Sequence, residues 1–332
     1  LSGTFSRKRE KGDEDGQPCA LRGEDKGRHP MTLAATRSRP SLAGAISSGS
    51  ALPVTVIVLI VIVVWYLAAI PMNRVLSEPL IAAAGGGLFN TLSISWSLPR
   101  PVLPAPHQVL AELWNTVALV APWRPKSLLY HCWVTLSSTL LGFILGTILG
   151  VGLAIAIIHV KALNRSLMPW IIASQTIPIL AIAPMIIVVL GSIGLTGLLP
   201  KSLISMYLCF FPVTIGMVKG LTSPDPMQLD LMRTYNAGTA QVLWKLRWPA
   251  SLPFLFASLK VAIAIALVGA IVGELPTGAQ AGIGARLLNG SYYGQTQQIW
   301  AALVAAAVMS SGLVWLVGFI ERRVALAMGG RP

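Results

Sequence analysis

The chain has 332 residues, 54% of them hydrophobic and 11% charged, with 25 Lys and Arg against 12 Asp and Glu and a net charge of +13. That balance excludes a purely soluble domain and points to a polytopic membrane protein, all-α in class: a bundle of membrane-spanning helices. The positive charge does not imply nucleic acid, because the basic residues stand mostly at the ends of apolar runs, where membrane topology places them.

The first 50 residues differ in kind, with nine Lys and Arg, six Asp and Glu, and many Gly and Ser. They read as a disordered basic cytoplasmic tail, in which Met31 offers a second start, so that residues 1–30 are either native or an upstream extension. No small-residue cleavage site follows the first apolar run closely, so that run reads as an uncleaved anchor. Cys19, Cys132 and Cys209 have no pairing or metal-ligand spacing, and His29, His107, His131 and His159 are scattered, so neither a redox role nor a metal site is expected.

Six apolar stretches are long enough to cross a bilayer: about 52–70, 131–158, 168–190, 199–218, 254–273 and 299–320. Residues 51–130 thus hold the first span and a long outer loop, 131–323 a core of the remaining five spans, and 324–332 a short cytoplasmic tail. "IAAAGGGLF" from Ile81 is short and glycine-broken, and suits a re-entrant or surface segment. The outer loop carries "LPRPVLPAPHQVLAELW", in which Val109, Leu110, Leu113, Trp114 and Val117 fall at helical spacing. Such a helix either lies along the outer surface or packs on neighbouring spans. Six spans put both termini on one side. With the termini inside, 19 Lys and Arg lie on the inner side and six outside, which makes that side the cytoplasm.

Within the core, Gly142, Gly146 and Gly150 repeat every four residues and permit close helix approach, within one subunit in preference to a dimer seam. Gln175 and Thr176, near Pro178 and Pro184 in the third span, are either lining groups of a path or ordinary interhelical hydrogen-bonding residues. Glu274 ends the fifth span, where an acid is either functional or simply wetted at the interface.

Residues 223–250, between the fourth and fifth spans, form a polar cytoplasmic segment. Asp225 is a good N-cap and Pro226 suits the first helical position. Met232, Tyr235, Val242 and Leu246 then give an apolar stripe for a partner protein or for the chain's own inner surface.

In this segment the sequence resembles the permeases of bacterial ABC importers, which carry EAA-x3-G-x9-I-x-L-P. The matching positions are Asp230, Leu231 and Met232, then Asn236, then Leu246, Trp248 and Pro249. "LPAPHQVLAELW", "QTIPILAIAPMIIVVLG", "FFPVTIGMVKGL" and "GIGARLL" extend the resemblance from about residue 100 to the end, and "QVLWKLRWPASLPFLFASLKVA" is similar to the nitrate, sulfonate and taurine branch.

The resemblance implies a type I importer permease fold in the bacterial inner membrane, with no cofactor and no catalysis of its own. It implies a second copy of the chain, cytosolic ABC ATPase subunits, an extracytoplasmic binding protein and surrounding lipid as partners. The chain contains no G-x4-G-K-[ST], so the ATPase is a separate protein. The coupling residues implied are Asp230, Leu231, Met232, Arg233, Tyr235, Asn236, Leu246 and Pro249. Asn236 replaces the signature glycine and is the next most tolerant residue of a left-handed turn. Asp230 meets either a basic residue of the ATPase or Arg233 three residues on. The bulk of Leu231 and Met232 alters the docking surface.

The translocation candidates are Gln175, Thr176, Glu274, Arg286, Tyr292 and Tyr293, the last three in a stretch resembling the family's external gate. The substrate is nitrate-, sulfonate- or taurine-like, or else a pyrimidine- or riboflavin-like vitamin precursor, which Glu274 with the two tyrosines would suit better. A self-contained secondary transporter is the competing class. It would need buried ion-coupling charges and span repeats, which are not evident.

Overall fold

The structure is a computed structural model that describes residues 51–276 and 281–328. The tail at 1–50, with Cys19 and His29, and residues 277–280 and 329–332 lie outside the described residues. Among the described residues the fold is all-helical. In chain order the helices are α1 (Ala51–Ala83), α2 (Leu88–Ser97), α3 (Pro106–Val117), α4 (Leu128–His159), α5 (Lys161–Ser174) and α6 (Ile179–Ser192). There follow α7 (Leu198–Leu221), α8 (Pro226–Thr234), the single turn α9 (Thr239–Val242), a π-helical turn (Leu243–Arg247), α10 (Trp248–Glu274), α11 (Ile283–Tyr292) and α12 (Thr296–Ala327).

Among the described residues, five continuous helices are long and apolar enough to cross a membrane: Leu52–Ala83, Leu128–His159, Leu198–Leu221, Thr239–Glu274 and Thr296–Ala327. The third span expected from sequence is not a straight helix. It is the pair α5 and α6, bent by 97° at residues 175–178. Pro178 supplies the reason: it has no N–H to continue α5 and biases Ile177 away from helical backbone. Each half is 14 residues, about 21 Å long at 1.5 Å per residue, too short to cross alone. Tyr207 of α7 donates its hydroxyl to Ser174 O at 2.5 Å, satisfying one carbonyl that the break releases. The fifth span is longer than expected: α9, the π turn and α10 run on as one 36-residue helix.

The core is α4, α7 and α10, which pack most extensively on one another. Ala154, Cys209, Val213, Met217, Leu221, Leu255, Ala262 and Ala266 make its buried centre. The four-residue glycine repeat of α4 faces α7. A Cβ at Gly146 would overlap Cys209 Sγ, and one at Gly150 would stand 2.9 Å from Phe210 O and Val213. The repeat is thus used within the subunit, as its spacing suggests. Gly146→Ala is expected to lower stability by about 1–3 kcal/mol through overpacking. Gly152→Ala, on the same helix with open space around it, gains the same helix propensity without the clash. Thermal unfolding midpoints of the two variants in detergent should therefore move in opposite directions.

Outside this core, α1 is held to the rest by a proline-rich strap. Asn73 is fully buried and uses its whole amide: Nδ2 donates to Ser95 O and Leu103 O, while Oδ1 accepts from the N–H of Val102 and Leu103. Trp65 Nε1 donates to Pro104 O at 3.0 Å and Thr296 Oγ1 to Pro101 O at 2.6 Å, so α1 and α12 grip the strap from two directions. The segment at Ile81 proves to be the last turn of α1 followed by a glycine turn, Gly85 to Gly87 all at positive φ, leading into α2. The predicted outer helix is α3. It buries Val109 and Thr116 against its neighbours and leaves Leu110 and Trp114 outward.

Candidate functional site

The polar segment at 223–250 is built as a helix, a sharp turn and a second helix. Asp225 caps α8, its Oδ1 accepting from Met227 N at 3.0 Å. At the other end Asn236 has φ +50°, alone among the described non-glycine residues at positive φ. Asn236 N donates to Arg233 O at 2.8 Å and Ala237 N to Met232 O at 3.0 Å. These two bonds are the Schellman closure of a helix whose turn residue is left-handed. Past the turn, Pro249 explains the π helix: lacking an N–H, and with its ring crowding the Lys245 carbonyl, it forces the preceding turn wider, and Trp248 N bonds back to Leu243 O.

The apolar residues divide between two faces, and not as the expected stripe has them. Met232, Val242 and Leu246 are half-buried, turned toward the protein, with Leu243 fully so. The outward face is Met227, Leu231 and Tyr235, four residues apart and 80%, 56% and 76% exposed, joined by exposed Trp244. Asp230 and Arg233 are paired with each other at 2.8 Å, both well exposed, so the contact adds a few tenths of a kcal/mol at most. Pro249 is exposed.

At the opposite end of the core a buried polar cluster gathers around the N-terminus of α11. Glu274, the last residue of α10, has no exposure to solvent, which excludes the wetted interfacial position allowed by the sequence. Thr135 Oγ1 donates to its carboxylate at 2.9 Å, Gly284 N donates to Oε2 at 2.9 Å, and Lys201 Nζ stands 3.7 Å from Oε1. Ile283 N donates to Thr135 Oγ1 at 2.9 Å and Gly282 N to His131 Nδ1 at 3.0 Å. The first N–H groups of α11, which no helix can satisfy internally, are thus taken by three side chains from α4 and α10. A carboxylate at this position also faces the positive end of the helix dipole.

His131 Nε2 lies 2.9 Å from Pro125 O, which can only accept, and Nδ1 faces a backbone N–H, which can only donate. The two contacts together require a neutral imidazole protonated at Nε2. Gly282, at φ +128°, and Gly284 give "GIGARLL" its physical sense, since a Cβ at either would collide with Glu274.

Farther along α11, Arg286 donates to Lys126 O at 2.9 Å and meets Glu112 of α3 at 3.4 Å. Burial pushes the Glu112 carboxyl up from its ordinary value, opposed by Arg286; burial pushes Arg286 down, opposed by Glu112. Arg286 is therefore a tie between the outer elements.

Of the residues expected to line a path, Glu274 and Arg286 are buried in this cluster, while Tyr292 and Tyr293 are 71% and 68% exposed at the far end of α11. From Gly284 to Tyr292 is about 12 Å of helix, so Glu274 and the tyrosines do not form one binding surface. Gln175 and Thr176 are exposed at the α5–α6 break. Sequence reasoning missed a cavity of about 740 Å³ beside the cluster. It is bounded by Tyr130, Trp133 and Ser137 of α4, Ile187 of α6, Thr196 in the α6–α7 link, and Lys201. A second hollow, about 320 Å³, lies under the polar segment between His159, Arg233, Thr239 and Arg247.

Comparison with known proteins agrees with this architecture. Residues 142–328 match the family described as "Binding-protein-dependent transport system inner membrane component". The chain is 29% identical to a "Probable ABC transporter permease protein" of Haemophilus influenzae, over 75% of this chain and 97% of that one. It is 31% identical to the riboflavin transport system permease protein RibX of Chloroflexus aurantiacus, over 68% of this chain and 80% of the relative. It is 30% identical to the formylaminopyrimidine transport permease protein ThiX of Halalkalibacterium halodurans, over 59% and 76%. The chain belongs to the binding-protein-dependent inner membrane components, and is a multi-pass, non-catalytic permease of an ABC transporter.

Proposed function

We propose that this permease works in an importer as a homodimer with both termini in the cytoplasm. In this reading residues 223–250 dock on a cytosolic ABC ATPase, and an extracytoplasmic protein delivers a pyrimidine- or flavin-like vitamin precursor. The observation that supports the docking is the exposed face of Met227, Leu231 and Tyr235, presented by a helix capped at Asp225 and stopped at Asn236. An exposed apolar row of this kind suits docking on a partner protein. The 19 to six division of basic residues supports a cytoplasmic position for it.

The vitamin-precursor class draws support from the riboflavin and formylaminopyrimidine permeases among the relatives, and from Lys201 already having an acidic partner in Glu274. A nitrate- or sulfonate-like anion would call for uncompensated positive charge. Path roles for Gln175 and Thr176 rest on their exposure at a proline break, where irregular backbone is tolerated if it lines a cavity.

Replacing residues 225–249 with a Gly/Ser loop should abolish co-purification with the ATPase while the permease still inserts. Retained co-purification would refute the docking reading. Uptake assays with riboflavin, an N-formylaminopyrimidine and ethanesulfonate then decide the substrate class.

A further inference from the structure

The 740 Å³ cavity lies within the size of small-molecule sites, roughly 300–1,000 Å³. Its chemistry is specific. An ammonium group has three donors. Lys201 gives one to Ala281 O at 3.0 Å and points a second toward Glu274, leaving one, among the described residues, for the cavity it lines. Glu274 lies buried behind it, 3.7 Å from the ammonium, so Lys201 already has an acidic partner on the protein side. A neutral acceptor gains a charge-assisted hydrogen bond there, whereas an anion competes with the carboxyl of Glu274 for the same ammonium.

On the α4 side, Ser137 donates to Val134 O at 2.8 Å, so its oxygen is left to accept from an occupant. Tyr130 and Trp133 contribute aromatic surface and Thr196 a second hydroxyl.

We propose that this cavity is a solute subsite inside the membrane domain. It takes a neutral, planar heteroaromatic compound that places a carbonyl or ring nitrogen on Lys201 and an N–H or O–H on Ser137. The proposal rests on the permease reading above and deepens its substrate class.

The test uses the full-length permease in lipid nanodiscs with Cys19, Cys132 and Cys209 replaced by alanine and Ser137→Cys introduced. A water-soluble maleimide should label position 137. Riboflavin or an N-formylaminopyrimidine should slow that labelling about tenfold, the equivalent of 1.4 kcal/mol, and ethanesulfonate should not. In cells, Ser137→Phe should fill the cavity and cut uptake of the ring compounds about tenfold, with membrane level and ATPase co-purification unchanged. No labelling, no protection by the ring compounds, equal protection by ethanesulfonate, or normal uptake by Ser137→Phe would each overturn the subsite. Failure of the parent permease to co-purify with any ATPase would instead count against the underlying reading, so the two failures are distinguishable.

Discussion

Glu274→Leu is expected to destabilise the protein by about 3–5 kcal/mol, the usual cost of removing one partner from a buried ion pair. The loss is larger than that of one hydrogen bond because three groups are stranded together: the Lys201 ammonium, the Thr135 hydroxyl and the Gly284 N–H. Glu274→Gln retains an acceptor for Gly284 and Thr135, and should cost distinctly less. The decisive comparison is Glu274→Leu with Lys201→Met, which removes both charges. If the ion pair accounts for the effect, the double variant recovers stability relative to Glu274→Leu alone. Unfolding midpoints of the parent, Glu274→Leu, Glu274→Gln, Lys201→Met and the double variant in one detergent would show it, and strictly additive losses of the two single variants in the double would rule the pair out as the cause.

Asn236→Val is expected to lower uptake about tenfold at unchanged membrane level. A β-branched residue at φ +50° carries strain of about 1–3 kcal/mol, which the short, exposed segment can relieve by unwinding the end of α8. The Schellman bonds from Asn236 and Ala237 are lost with it, and Tyr235, next to the turn, leaves the exposed face it shares with Leu231 and Met227. Asn236→Gly keeps the left-handed backbone and should transport at the parent rate. The check is uptake together with ATPase co-purification for both variants. Equal uptake by Val and Gly would show that the turn is not limiting.

What was legible in the sequence follows from range. The spans could be read because apolar runs are local, and Asn236 because a signature position and a tolerant residue coincide within a few residues. The third span was legible as an apolar run but its bend was not: Pro178 looks the same in a kinked helix as in a break, and only its surroundings decide. The stripe of Met232, Tyr235, Val242 and Leu246 was left open between a partner and the chain's own surface, since a helix this short carries apolar residues on both sides and spacing cannot tell which side the core occupies; Met227 was not singled out. The cluster at Glu274 was illegible in its partners. Thr135 lies 139 residues away in sequence, and His131 enters through a backbone N–H, which leaves no pattern in side-chain spacing. The glycines of "GIG" were the one local trace of it.

The 36-residue helix from Thr239 to Glu274 joins places so far treated separately. At 1.5 Å per residue it is about 54 Å long, with one end in the polar segment at 223–250 and the other holding α11 through Glu274. Its two ends therefore share one continuous backbone, widened at the π turn of Leu243–Arg247 ahead of Pro249 and short of one more amide donor at Pro253. The turn at Asn236 and the cluster at Glu274 are thus two terminations of a single element.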